Sequence, residues 1–325
     1  MALTDDEFIA AWNRAGCSPV NVSKLTGITI RAVYDRRAKM ASRGIVLPSV
    51  PSAPGGTHTY STDASRAYAR ERRAEVHDGH VIVFSDAHWW PQERTLANDA
   101  LLEVIKELKP RRVVNNGDAF DGAGKISTHA PLGWAKVPSA KEELEACQER
   151  ALEIELAAPR GCKLDWNVGN HDTRFDKRLA AVAGEYEGLV ERLEDKFTSW
   201  DFAWSLRLND NVMVKHRWHN GIHATYNNAL KGGVNIVTGH LHRLAVTPWA
   251  DYTGRRYGVD TGTLADPHAP QFDYLENNPT PWCSGFAVLT FRDGRLLPPE
   301  LVEVHGSSAL FRGEIVCTKS APNQL

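Results

Sequence analysis

Hydrophobic residues recur along this chain with two different periods, and the change of period divides it. Near the start, Phe8, Trp12 and Ala15 fall at helical spacing behind Thr4-Asp5-Asp6-Glu7, where Thr4 and Glu7 have the separation of a capping box. This predicts a helix over residues 5–15, ended by Gly16. A second short helix is predicted from Val20 to Thr26. Gly27-Ile28 then makes a tight turn, and Thr29 caps a third helix through Met40 with Ile30, Val33 and Met40 inward. Three short helices in this order have the outline of a helix-turn-helix. From Val46 to Asp63 the periodicity stops, and 11 of 18 residues are Pro, Gly, Ser or Thr, which predicts an extended linker, followed by a basic stretch from Arg66 to Arg73. Beyond it, β-rich runs (His80–Ser85, Arg112–Asn116, Leu164–Val168) alternate with amphipathic helices (Glu93–Leu108, Ala140–Ala158), the signature of an α/β core. From Phe202 onward the runs are strand-like: Phe202–Leu208, Asn211–His216, Val234–Thr238, Arg243–Trp249, Arg255–Val259 and Gly285–Phe291, with one helical stretch near Ala224–Leu230. The expected organisation is a small all-α domain over 1–45, a linker and basic stretch over 46–75, and an α/β domain over 76–325.

Composition narrows the class without naming a function. With 325 residues, 42% of them hydrophobic and 24% charged, the chain can bury one large core plus a small module, and collagen, coiled coil and wholesale disorder are excluded. The net charge of −2 conceals an asymmetry, since residues 1–75 carry a net +4 and the remainder a net −6. Between Arg14 and Arg43 seven basic residues face one acid, Asp35, so Arg31, Arg36, Arg37 and Lys39 are the candidate DNA-contacting side chains. The alternative is a helical cap or oligomerisation arm with a solvated basic face. Five scattered cysteines without a C-x-x-C pair suggest neither a disulfide framework nor a structural zinc site. No secretory leader and no apolar run of about 18 residues is present, which leads to the expectation of a cytoplasmic protein without a membrane partner.

The chemistry gathers where predicted strands end. Four runs terminate in metal-binding side chains: Asp86-Ala87-His88, Gly117-Asp118-Ala119-Phe120-Asp121, Gly169-Asn170-His171-Asp172 and Gly239-His240-Leu241-His242. Residues two apart at a strand end point the same way, so Asp86 with His88, and His240 with His242, can each present a pair of ligands to one spot. Carboxylate, imidazole and amide oxygen together suit manganese, iron, zinc or related divalent ions better than calcium.

These motifs, in this order, resemble the signature of the calcineurin-like metallophosphoesterases: D-x-H, G-D-x-x-D, G-N-H-[DE], a later His, then G-H-x-H. The resemblance covers about residues 80–265 and includes Asp260-Thr261-Gly262-Thr263. It implies a four-layer α/β/β/α metallophosphoesterase sandwich, here preceded by the helix-turn-helix-like module. It also implies two divalent metal ions, manganese first among iron, zinc, nickel and cobalt, and hydrolysis of phosphate esters by a metal-bridging hydroxide. Carried over, Asp86, His88 and His242 would hold one metal, Asn170, His240 and the later His the other, and Asp118 would bridge them. Metals about 3.5–4 Å apart clamp a phosphate and lower the pKa of a water. His171 would stabilise or protonate the leaving oxygen, with Asp172 orienting its imidazole. The later His has three candidates, His216, His219 and His223, none followed by the family's Gly; His216 is chosen because it ends an apolar run. Gly122 stands where many members carry Arg, which makes Arg174 or Arg243 the candidate phosphate-contacting cation.

Substrate choice rests on less. Trp89 and Trp90, directly after the first motif, are candidates for stacking on a nucleobase, and the stretch Gly122–Pro138, with Lys125 and His129, for a covering loop. The basic module places nucleic-acid phosphodiesters first, as for a nuclease acting on DNA. A phosphomonoesterase for phosphoproteins or nucleotides, only localised by the module, is the alternative. A non-enzymatic DNA-binding regulator is the third reading, disfavoured by the intact ligand set.

Overall fold

The computed structural model describes residues 3–15, 19–45, 47, 68–122, 126 and 137–319. Most of the expected linker, and the Gly122–Pro138 stretch with Lys125 and His129, lie outside the described residues. The chain divides into two compact units. The smaller contains α1 (Asp5–Arg14), α2 (Pro19–Thr26) and α3 (Ile30–Ser42), together with Glu75–Asp78 and Phe291–Arg295. Thr4 and Glu7 form the expected capping box on α1, and Thr29 caps α3 by accepting from the Ala32 amide. Phe8, Trp12, Val22, Val33, Met40 and Leu47 make one buried cluster between the helices.

The larger unit is mixed α/β with two sheets. In chain order it holds β1 (Arg72–Ala74), β2 (Gly79–Phe84), α4 (Leu96–Leu108), β3 (Arg112–Asn115), α5 (Ala140–Ala157), β4 (Lys163–Asn167), α6 (Asp172–Ala183), β5 (Asp201–Ala203) and β6 (Ser205–Leu208). There follow β7 (Val212–Lys215), α7 (Ala224–Gly232), β8 (Asn235–Thr238), β9 (Ala245–Asp251), β10 (Gly254–Asp260), β11 (Gly285–Arg292) and β12 (Arg295–Leu296), whose residues from Phe291 to Arg295 fall in the smaller unit, then β13 (Glu300–His305), β14 (Ser308–Phe311) and β15 (Glu314–Thr318). One sheet has nine strands, ordered β15-β14-β13-β11-β2-β3-β4-β5 with β12 on β11; the other has six, ordered β1-β6-β7-β8-β10-β9. Strands β2 to β5 are mutually parallel, as are β7, β8 and β10. Val81–Phe84 and Asn235–Thr238 are buried at every position, as parallel strands covered on both faces require. The largest core cluster is built from Ile82, Phe84, Leu101, Ile105, Ile154, Trp166, Phe286 and their neighbours.

Three expectations change. The basic stretch is not all linker: Tyr68–Ala74 belong to the larger unit, where β1 pairs parallel to β6. Arg72 is held there by Asp165 at 3.1 Å and Asp201 at 2.6 Å. The expected strand Phe202–Leu208 is two strands in different sheets. The chain leaves β4 after Ala203: the Trp204 amide donates to Ala69 O at 2.9 Å, and from Leu206 the chain pairs with β1. Finally, α6 and the C-terminal strands β12 to β15 had no sequence assignment at all. Among the described residues no helix is long and apolar enough to cross a membrane.

Candidate metal centre

The four strand-end motifs converge at the carboxyl ends of β2, β3, β4 and β8, joined there by the residue after β7, the usual place for a site in an open parallel sheet. Asp86, His88 and His242 form one group, and Asp118, His216 and His240 a second; within each, one potential ligand atom per residue lies within 4.8 Å of the others. In the first group His242 Nε2 is 3.0 Å from Asp86 Oδ1, and His88 Nε2 is 4.0 Å from the same oxygen. In the second, His216 Nε2 is 3.0 Å from Asp118 Oδ2 and 3.2 Å from Asn170 Oδ1. The groups are stitched together, because the His240 amide donates to Asp86 Oδ2 at 2.8 Å. Of the three histidines weighed, His216 is the one in these groups, whereas His223 is exposed and His219 half-buried with its amide bonded to Asn228.

The backbone here is bent in a way ordinary loops avoid. Asp86, His88, Asp118, His240 and His242 all have φ between 41° and 73°, the left-handed region that costs of order 1–3 kcal/mol per residue and clusters at functional sites. Neighbouring glycines permit the crowding. A Cβ on Gly169 would fall onto Asp118 Oδ1 and the Asp118 amide, and one on Gly239 would meet Ser85 Oγ and, at 2.5 Å, Asp86 Oδ2.

The buried carboxylates of this pocket favour positive charge around them. Burial opposes charge on Asp86, yet His242 and His216 hold its carboxyl down at about 2. Asp118 is likewise held well below the carboxylate range, against burial, chiefly by His216. Burial disfavours an imidazolium at His216, but the Asp118 and Asp86 carboxylates outweigh it and raise His216 to about 10. Burial and then His216 push His240 down to about 4. Two buried carboxylates thus draw positive charge into a pocket lined by imidazoles. His88 Nε2 is buried with no hydrogen-bond partner, an orphan that a metal ion would satisfy. Nδ1–H of His216 donates to Asn116 O at 2.8 Å and leaves Nε2 facing the group, as a ligating histidine requires. The donors in these groups suit divalent ions such as manganese, iron or zinc.

The supporting shell corrects the sequence reading in two places. Asp172 does not orient His171. Its wholly buried carboxylate accepts from the amides of Asp118 (3.0 Å), Gly169 (2.9 Å) and Phe120 (3.1 Å) and from Trp166 Nε1 (3.0 Å), and so clamps the second and third motifs together. The orienting carboxylate is Asp121, whose Oδ1 is 2.7 Å from Nδ1 of both His171 and His88. Asp121 stood in the sequence at the second D of G-D-x-x-D, and that position was the signal for it. Burial opposes a charge on His171, while Asp121 and Asp118 outweigh it and raise the imidazole above its ordinary value. Arg174 lies beside this pair, its Nη2 3.1 Å from His171 Nε2 and its Nη1 donating to Asp121 O at 2.9 Å. Gly122 leaves room for it, since a Cβ there would meet Arg174 Cβ and Cδ at 3.4 Å.

The second correction concerns the tryptophans. Trp89 is buried in the core against Phe84 and Trp166, with its indole N–H on Asn98, so no face is offered to a base; Trp90 is half-buried. In the small unit Arg36 lies over Phe8 and pairs with Asp5 at 3.0 Å, and Arg37 lies over Trp12 and pairs with Glu75. Arg31 and Lys39 are exposed on α3.

No family model matches the chain. It is 25% identical over 263 residues to the Gene 54 protein of Mycobacterium phage L5, covering 72% of this chain and 97% of that protein. Against the Gene 54 protein of Mycobacterium phage D29 the identity is 25% over 260 residues, with the same shares of each chain.

Proposed function

We propose that the chain is a di-metal phosphoesterase of the calcineurin-like kind, with a four-layer α/β/β/α catalytic domain and a helix-turn-helix-like module before it. The observation that carries this reading is the convergence of two adjoining carboxylate–imidazole groups on one pocket, with an unpartnered buried His88 Nε2 among them. Asp86, His88 and His242 would hold one divalent ion, and Asn170, His216 and His240 the other, with Asp118 between. Bound there, the two ions supply positive charge to clamp a phosphate and to acidify a water nucleophile. The chain's own groups do the rest. Asp121 holds Nδ1 of His171 and so turns Nε2 toward the pocket, 3.9 Å from Asp118 Oδ2. An entering phosphate oxygen accepts from Arg174 in place of His171 Nε2; the freed Nε2, whose hold on a proton Asp121 and Asp118 strengthen, takes one from water and donates it to the leaving oxygen. Asp172 fixes the loops that carry Asp118 and Asn170.

The preferred substrates are phosphodiesters of nucleic acid, supported by the +4 charge of residues 1–75 and by exposed Arg31 and Lys39. Arg36 and Arg37 are spent on the module's own packing and are withdrawn as DNA contacts. The test is manganese-dependent cleavage of end-labelled single- and double-stranded DNA beside bis(p-nitrophenyl) phosphate and p-nitrophenyl phosphate. Wild type is expected to cleave the diesters, and Asp118→Asn to lose at least about a hundredfold. Turnover of the monoester alone would move the substrate class to phosphomonoesters. Diester turnover equal in wild type and Asp118→Asn would overturn the site.

A further inference from the structure

The aromatic surface expected at Trp89 and Trp90 stands elsewhere. Pro270–Leu275 forms a short 3-10 helix, and its residues together with Trp282 build a wall beside the first ligand group. Phe272 is buried, with its ring centroid 5.3 Å from that of His88. Trp282 is 4.3 Å from His242 and 5.1 Å from Phe272. Tyr274 continues the row, 6.4 Å from Phe272, and is 53% exposed. Its phenol is raised by burial and then by the Asp121 carboxylate, with Arg174 opposing, so it stands within electrostatic reach of the groups that flank His171.

The wall is fixed to the ligand loops and does not rest on them loosely. Buried Gln271 donates to His88 O at 3.2 Å and to Glu93 at 3.1 Å. The Cys283 amide, next to Trp282, donates to His242 O at 2.7 Å. Ala265, Ala269 and Phe272 form their own small core with Leu275 and Trp282 packed against it. Packing of the ligand imidazoles accounts for Phe272 and Trp282. Tyr274, the next ring of the row, is anchored through its neighbours and keeps about half of its surface exposed.

We propose that Tyr274, backed by Phe272 and Trp282, is a stacking platform for an unpaired nucleobase adjoining the phosphate held at the metal centre, which makes the substrate single-stranded nucleic acid. An aromatic ring offers its face to any base, so the platform selects for a base without reading sequence. A duplex keeps its bases stacked on one another and presents none to Tyr274. The proposal rests on the phosphoesterase reading above, and its test separates the two.

The first arm is binding without turnover: the tryptophan fluorescence of the full chain is titrated with thymidine 5′-monophosphate and with 2-deoxyribose 5-phosphate. Wild type is expected to bind the nucleotide about 5- to 150-fold more tightly, the span measured for one stacked base. Tyr274→Ala brings that ratio close to one, whereas Tyr274→Phe keeps it. Equal binding of the two probes by wild type, or a ratio unmoved in Tyr274→Ala, overturns the platform. The second arm is manganese-dependent cleavage of a single-stranded oligonucleotide and its duplex, with the single strand preferred by wild type and the preference reduced in Tyr274→Ala. Base-dependent binding with no cleavage of any ester upholds the platform and sinks the enzyme reading. Cleavage that ignores both base and strandedness does the reverse.

Discussion

Replacing Asp172 tests whether its carboxylate is a clamp or a catalytic partner. The side chain is wholly buried and accepts four hydrogen bonds, three on Oδ2 from Asp118 N, Gly169 N and Trp166 Nε1 and one on Oδ1 from Phe120 N. Asp172→Ala orphans all four donors. Each buried donor left unmade costs about 1–3 kcal/mol, and water entering the vacated space recovers part of that, so the expected loss is about 4 kcal/mol or more. At about 2–4 °C per kcal/mol for a unit of this size, the melting temperature falls by about 8–16 °C. Asp172→Asn keeps one acceptor oxygen for the Oδ2 partners and turns an amide against Phe120 N–H, so it loses about 1–3 kcal/mol. The assay is thermal and urea unfolding of chelator-treated protein, so that metal binding does not enter. A melting temperature for Asp172→Ala equal to that of wild type, or equal to that of Asp172→Asn, refutes the clamp. So does an Asp172→Asn enzyme of native stability with an altered pH–rate profile, which is the behaviour expected instead of Asp121→Asn because Asp121 holds His171.

Other predictions follow from neighbouring features. Gly169→Ala drives a methyl onto Asp118 and should abolish binding of at least one metal ion by calorimetry while the far-ultraviolet circular dichroism stays native; unchanged stoichiometry would show that the loop yields. Metal removal should lower the melting temperature, since an ion at a hundred times its dissociation constant contributes about 2.7 kcal/mol, and restoring manganese should recover it. An identical melt with and without manganese contradicts a native cation site. The Glu300–Arg312 pair, at 2.7 and 2.6 Å, depresses the Glu300 carboxyl below its ordinary 4.5, Arg312 acting first and burial opposing. Its contribution is therefore present above the unfolded value and lost as pH falls through the folded one. Being largely exposed, the pair is worth under about 1 kcal/mol, and the stability gap between wild type and Arg312→Ala should close in acid and persist at neutral pH.

How much of this was legible in the sequence depended on how local the cause was. The residues that converge here, Asp86, His88, Asp118, Asn170, His216, His240 and His242, were readable because each falls within four residues of the end of a strand whose apolar run marks it. The capping box of α1 and the Thr29 cap of α3 are equally local. The sequence reading gave Asp172 the orienting role and Asp121 none, because adjacency in the chain, Asp172 beside His171, said nothing about direction. The backbone sends the Asp172 carboxylate back toward Gly169 and Asp118, and the loop after β3 brings Asp121 to His171. The split of Phe202–Leu208 was hidden for a similar reason, since only the partner strands β4 and β1 decide where one sheet ends. Trp89 follows a metal motif but its neighbours in space are Phe84 and Trp166, and no spacing rule foretells that.

The measurement that bears most directly on the central claim is the metal stoichiometry and electron paramagnetic resonance of the manganese-loaded chain, beside Asp118→Asn. Two manganese ions per chain with an exchange-coupled signal in wild type, replaced in Asp118→Asn by the signal of isolated ions or by none, is the result expected of a pair joined through Asp118. A single uncoupled ion in wild type, or a coupled pair that survives Asp118→Asn, would contradict it.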